Sequence, residues 1–167
     1  FTGDVWAVAA GTPVFPNEPI IRLTAPLPQV GLFETLLTQR VAAASAIATR
    51  ARRLLAAAKG HSVLDFGSRR VPGPTLSLLA ARAAFLGGTS GTTHALASSR
   101  LSIPPVGTVS DTMLTAYDNE VRAYQALESV FPHGCHFNLP ADDPMAGLET
   151  IMALGCAVQT VRIDHPK

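Results

Sequence analysis

The sequence predicts an α/β fold in which parallel strands are joined by crossover helices. Two observations predict it. After Gly60, short runs of β-forming residues alternate with Ala/Leu-rich runs at helical spacing, and Gly, Pro or Asp punctuates most of the boundaries. The chain is also apolar enough to bury a core: 47% of its 167 residues are hydrophobic and 15% charged. Whether such a sheet is open or closed as a barrel is not decided by the pattern. Both forms place ligands at the C-terminal strand ends.

The elements follow in order. Val5–Val8, Pro13–Phe15 and Ile20–Thr24 read as short strands separated by turns at Gly11-Thr12-Pro13 and Pro16-Asn17. From about Gln29 to Lys59 the period becomes helical. Leu32, Leu36, Leu37, Val41, Ala44, Ile47 and Ala48 share one face, Arg50, Arg52 and Arg53 sit near the end, and Gly60 stops the helix. Then come a strand at Ser62–Phe66, a turn at Gly67–Arg70 and a helix from Pro74 to Leu86. A short strand near Phe85–Thr89 and a helical turn at Thr93–Ser98 follow. The remaining elements are a strand at Ile103–Gly107, a helix from Asp111 to about Val130, a strand at Phe137–Leu139, a helix at Pro144–Leu154 and a strand at Val158–Ile163.

Charge and composition exclude several function classes. Thirteen basic residues against twelve acidic ones give a net charge of +1, without the basic surplus a nucleic-acid surface needs. No run of about 18 apolar residues is free of charge or Pro, which argues against a membrane span. Two cysteines, Cys135 and Cys156, make no disulfide framework, so a reducing, cytosolic setting is expected. No secretory leader is expected from the FTGDVWAV start, and the chain opens at Phe1 in mid-pattern, so it is expected to be a piece of a longer protein. The His133-Gly134-Cys135-His136 run lacks zinc-finger spacing, and no metal site is assigned.

The polar residues collect after the strands, at Arg69/Arg70, Thr92/Thr93, Thr108/Asp111, Asp142/Asp143 and Asp164. The ordered runs FTGDVWAV, GTPVFPNEPIIRLTAP, ETLL, AIAT, DFGSRR, GPTLSLLAARAAFLGGTSGT and IPPVGT resemble nicotinate phosphoribosyltransferase, with DFGSRR through GTSGT the strongest part. The resemblance implies an enzyme of NAD biosynthesis. It would join nicotinate to phosphoribosyl pyrophosphate, giving nicotinate mononucleotide and pyrophosphate, with Mg²⁺ accompanying the diphosphate and ATP as an assisting co-substrate. It implies a cytoplasmic homodimer and an incomplete TIM-like (β/α) barrel of the type II phosphoribosyltransferases. On that basis residues 1–26 are part of a small β-rich domain, 27–60 a connecting helical segment and 61–167 the first part of the barrel.

The same resemblance implies roles. Phe66 and Arg162 look like the pair that sandwiches the pyridine ring. Arg69 and Arg70 look like phosphate ligands, and Thr108 like a contact to the nicotinate carboxylate. Thr93 stands where nicotinamide-using relatives carry an acidic residue; a hydroxyl there donates to the acid. Asp164 looks like the carboxylate that holds ribose hydroxyls. The pattern also departs from the family. Asp111 occupies the position of the phosphate-accepting His in the Gly-Thr-x-x-His motif, Pro140 replaces one strand-end carboxylate, and Asp164-His165-Pro166-Lys167 replaces a Gly-containing phosphate loop. These departures keep a rival open: a non-catalytic paralogue that binds a pyridine or nucleotide ligand. A third reading is a different pyridine acid, such as quinolinate, as substrate. Locally, Asp111 reads equally well as a helix cap, Thr92-Thr93 as a cap-and-turn, and Asp142-Asp143 as a helix start.

Overall fold

The structure is a computed structural model that describes residues 1–140 and 142–163. It divides into two compact units, Phe1–Val106 and Gly107–Lys167. Among the described residues no helix is long and apolar enough to cross a membrane.

The first unit opens with an antiparallel pair, β1 (Asp4–Ala7) and β2 (Ile21–Thr24), in which Asp4 faces Thr24 and Ala7 faces Ile21. Arg22 lies over the Trp6 ring at 5.5 Å, a cation–π contact that orders an otherwise exposed hairpin. Pro13–Phe15 is not a strand. Pro13 and Pro16 offer no N–H to a ladder, and the segment stays in the connecting loop.

Helix α1 (Leu27–Ala57) runs for 31 residues from the Pro26 N-cap, with Pro28 in its first turn, where a missing N–H is harmless. It ends as Gly60 predicts, through Lys59 and Gly60 at positive φ. Its last turn holds no basic residue, because the helix stops beyond Arg53. Leu32 and Leu36 point outward, Leu32 at 78% exposure, and Phe33, Leu37, Val41 and Ala44 form the half-buried stripe instead. Phe33 meets Phe1 edge-on with centroids 5.6 Å apart.

Next come β3 (Leu64–Asp65), a single 3₁₀ turn at Ser68–Arg70, α2 (Pro74–Leu86), β4 (Gly91–Thr92) and α3 (Ala95–Leu101). β3 and β4 are parallel, with Asp65 beside Thr92, so β3–α2–β4 is a crossover unit as expected. The strand placed at Phe85–Thr89 lies later, because α2 continues to Leu86 before Gly87 and Gly88 end it. At Ile103–Gly107 only a single parallel bridge forms, between Pro105 and Thr92. Consecutive prolines at 104 and 105 remove the donors a longer ladder needs. Ala81, Ala97 and Ile103 form a small core against which Leu78 packs.

Close backbone approach explains two glycines. A Cβ on Gly87 would stand 2.5 Å from the Ala48 carbonyl oxygen, so Gly87 lets α2 end against α1. A Cβ on Gly91 would stand 2.6 Å from Val106 Cγ1 and 2.7 Å from the Pro104 carbonyl oxygen.

The second unit holds α4 (Asp111–Thr115), α5 (Glu120–Val130), β5 (Cys135–Asn138), α6 (Pro144–Leu154) and β6 (Val158–Arg162). The single helix expected over Asp111–Val130 is two, because Asn119 takes an extended conformation and caps α5, its Oδ1 accepting from Arg122 N–H at 3.0 Å. β5 and β6 are parallel, with Asn138 beside Arg162 at their C-terminal ends. α6 crosses between them, capped by Asp143, which accepts from Ala146 N–H at 3.0 Å, and closed by Gly155 at φ +68. Leu114, Ala123, Tyr124, Leu127, Cys135, Phe137, Leu139 and Ile151 form the core. Tyr124 meets Phe137 edge-on at 5.4 Å and donates to the Asn138 carbonyl at 3.2 Å. Burial, with Glu120 nearby, pushes the Tyr124 hydroxyl up to about 12, so it stays a donor.

Gly91→Ala is expected to destabilise the first unit by about 1–3 kcal/mol, since the Pro104 backbone oxygen as well as the Val106 side chain blocks the new methyl. Urea denaturation of the variant against the parent measures it.

Candidate functional site

Each crossover unit carries polar side chains at its strand ends, tied together by side-chain hydrogen bonds. In the first unit the anchor is Asp65, the last residue of β3. One carboxylate oxygen accepts from Gly67 N–H at 2.9 Å and the other from the Thr92 hydroxyl at 2.8 Å. Thr92, buried at the end of β4, in turn accepts from His94 N–H at 3.1 Å. Thr93 N–H completes the join by donating to the Asp65 carbonyl at 3.0 Å. The loops after β3 and β4 are thereby fastened to each other.

On that frame Phe66 sits at 39% exposure, a ring accessible to solvent at a strand end. Arg69 and Arg70 are exposed on the 3₁₀ turn, where Arg70 N–H donates to the Gly67 carbonyl at 2.9 Å. Thr93 is half-buried. Thr92-Thr93 does not cap α3; His94 does, its Nδ1 accepting from Ala97 N–H at 3.3 Å. Ser68 presents a buried hydroxyl with no hydrogen-bond partner among the described residues.

In the second unit two pairs stand at the ends of β5 and β6. The Arg162 guanidinium donates to the Thr108 hydroxyl oxygen at 3.3 Å. A hydroxyl that accepts from Arg162 keeps its own proton to donate, so the pair offers a positive charge and an O–H donor side by side. Asn138 is 0% exposed, and its amide Nδ2 donates to the Asp111 carboxylate. The Asn138 Oδ1 is buried without a partner among the described residues; such an orphan acceptor costs about 1–3 kcal/mol. Asp111 itself is exposed at the first position of α4. It is not the cap of that helix: Ser110 is, and makes no side-chain cap bond.

The structure brings Thr108 to Arg162, and brings Asp111 to Asn138, which the sequence did not single out; nor did it single out Asp65, which together with Thr92 positions the first unit's strand ends. Asp-Phe-Gly carries the spacing of an Asx turn, and one Asn within an otherwise apolar strand is a signal in itself. Asp164 lies outside the described residues, as do His165, Pro166 and Lys167.

The local electrostatics are acidic on one side. Burial, then Asp142 and Asp143, raise the Glu120 carboxyl above its ordinary range. Among the described residues no three His, Cys, Asp or Glu side chains gather as a metal site. Cys135 and Cys156 are free thiols, both pushed up by burial, so neither is an activated nucleophile.

Comparison with known proteins adds to this geometry. The chain is 41% identical over 170 residues to a nicotinate phosphoribosyltransferase of Mycobacterium tuberculosis, covering 98% of this chain and 36% of that protein. It is 38% identical over 120 residues to the nicotinate phosphoribosyltransferase of Bacillus subtilis (72% of this chain, 24% of that one). It is 34% identical over 158 residues to that of Bos taurus (93% and 29%). The chain therefore spans about a third or less of the length of these relatives. The crystal structure of human nicotinic acid phosphoribosyltransferase has the same fold, at a TM-score of 0.82 and 24% identity, over 97% of this chain and 43% of that one. No protein-family model matches the chain.

Asp65→Ala is expected to cost roughly 1–3 kcal/mol, because it strands the Thr92 hydroxyl in a buried position and frees the Gly67 turn. Chemical denaturation reads the loss; Thr92→Val in the Asp65→Ala background should add less than it costs in the parent, since of the two Thr92 hydroxyl bonds only the one to His94 N–H is then left to lose.

Proposed function

We propose, from the premise that this chain belongs to the nicotinate phosphoribosyltransferase family, that the whole protein makes nicotinate mononucleotide from nicotinate and phosphoribosyl pyrophosphate. The observation that carries the reading is the Arg162–Thr108 pair. A guanidinium and a hydroxyl proton together suit a carboxylate and disfavour an amide, which would bring its own N–H donors. Nicotinate is held there by its carboxylate. By the family resemblance alone, Phe66 is assigned the aromatic face for the pyridine ring and Thr93 a further hydroxyl donor.

The chemistry is a displacement at the sugar. The pyridine nitrogen forms a bond to ribose C1, and the C1–oxygen bond to pyrophosphate breaks, with the electron pair leaving on pyrophosphate. The chain's part is positioning and electrostatics. Exposed Arg69 and Arg70 receive the phosphate charge, and carboxylates (Asp111, and Asp164 by the family pattern) face the positive charge that develops on the sugar. Mg²⁺ enters with the diphosphate as part of the substrate.

Asp111 in place of a phosphate-accepting His argues that ATP does not drive this protein's turnover. The wider frame of the reading is a (β/α) barrel, incomplete in this chain, with residues 1–26 in a small β-rich domain, 27–60 connecting and 61–167 beginning the barrel. The protein acts as a cytoplasmic homodimer. The apolar residues left exposed on α1, Leu27, Leu32 and Leu54 among them, are consistent with further packing against that helix.

The assay is formation of nicotinate mononucleotide from the two substrates, with and without ATP. The expected result is turnover that ATP leaves unchanged, and for Arg162→Gln a KM for nicotinate raised about 10- to 100-fold, the worth of a charge-assisted hydrogen bond. No product under either condition, or a variant with unchanged KM, overturns the reading.

A further inference from the structure

We propose that Asn138 is a positioning residue that holds Asp111 as a fixed acceptor for sugar hydroxyls. The inference rests on the functional reading above and deepens it. Asn138 ends β5 with a fully buried side chain, and its one observed side-chain bond goes to a carboxylate that is exposed. A carboxylate only accepts, so Nδ2 must face Asp111 and Oδ1 must point away, into a place where it finds no donor among the described residues. An apolar side chain of similar size would fill this position without stranding an acceptor. A buried polar group that leaves half its bonding unmet, yet grips a surface carboxylate, is placed for that carboxylate rather than for the core.

The surroundings say what the carboxylate receives. Arg162 neighbours Asn138 across the parallel ladder and bonds Thr108, three positions before Asp111. Anion recognition is thus supplied by Arg162 and Thr108, and Asp111 adds acceptor capacity nearby. A ligand that satisfies both has an anionic end and a neutral body rich in hydroxyl donors. A vicinal diol, two O–H groups on adjacent carbons, matches a carboxylate's two oxygens. Asp111 held rigid loses little freedom on accepting them; Asp111 left mobile must be ordered at that moment.

The test uses Asn138→Leu in the whole protein, with nicotinate and nicotinate mononucleotide as probes, read by calorimetry beside thermal unfolding. The expected result has three parts. The melting temperature stays level or rises, because an orphan acceptor is gone. Nicotinate binds as in the parent. Nicotinate mononucleotide binds about tenfold more weakly, and Asp111→Asn shows the same selective loss. A lowered melting temperature with both ligands weakened alike makes Asn138 merely structural and overturns the proposal. So does mononucleotide affinity equal to the parent's. A parent that binds nicotinate but not the mononucleotide sinks this inference alone; a parent that binds neither sinks it together with the functional reading.

Discussion

Strand ends in this chain are aligned by side chains, because the strands are too short to align themselves. β3 and β4 are two residues each, and so short a ladder fixes neither register nor the direction of the loops that follow. The Asp65 carboxylate does both: it closes the turn at Gly67 and reaches across the sheet to Thr92. Everything placed after β3, from Phe66 to Arg70, inherits its position from that one group. In the second unit the counterpart is the pair of neighbours Asn138 and Arg162, each turning from the ladder to a residue of the segment before α5.

This way of building has a cost in the cores. The first unit buries mainly alanines with Ile103, and small side chains gain little from leaving water. Close approach compensates: Gly87 admits the α1 backbone at the end of α2, and Gly91 admits the Pro104 carbonyl beside β4, each where a methyl would clash. The second unit packs larger groups, Tyr124, Phe137 and Ile151, directly beneath the polar strand ends. Tyr124 joins the two layers, its ring in the core and its hydroxyl on the Asn138 carbonyl. A rigid apolar floor under Asn138 keeps its amide from wandering, and that is what makes a buried polar group useful here.

Much of the fold was legible because punctuation in this sequence is local chemistry. Pro74 and Gly87, and Pro144 and Gly155, bracket α2 and α6 at the boundaries expected of them. The alternation of strand and helix needs only hydrophobic period. Where reading failed, a non-local or competing local term decided. Asn119 broke a continuous helical pattern by capping, and Pro104-Pro105 starved a plausible strand of donors. The Leu32 and Leu36 positions fit the helical face by spacing yet lie outside the packed stripe. For the candidate site, motif order located Thr108 and Arg162, 54 positions apart, which spacing alone never joins. The Asn138–Asp111 bond was invisible for the same reason, and Asp111 read equally as a cap and as a site residue, because adjacency and motif position do not show what it touches.

The proposed recognition of an acid rests on a guanidinium and a hydroxyl proton in the second unit. Competition between nicotinate and nicotinamide, followed by calorimetry on the whole protein at neutral pH, tests it most directly. The two ligands share the ring and differ only in the group that meets Arg162 and Thr108. The expected result is binding of the acid at least about tenfold tighter than the amide, with the preference removed in Thr108→Val and Arg162→Gln together. Equal affinities, or a preference for the amide, would contradict it.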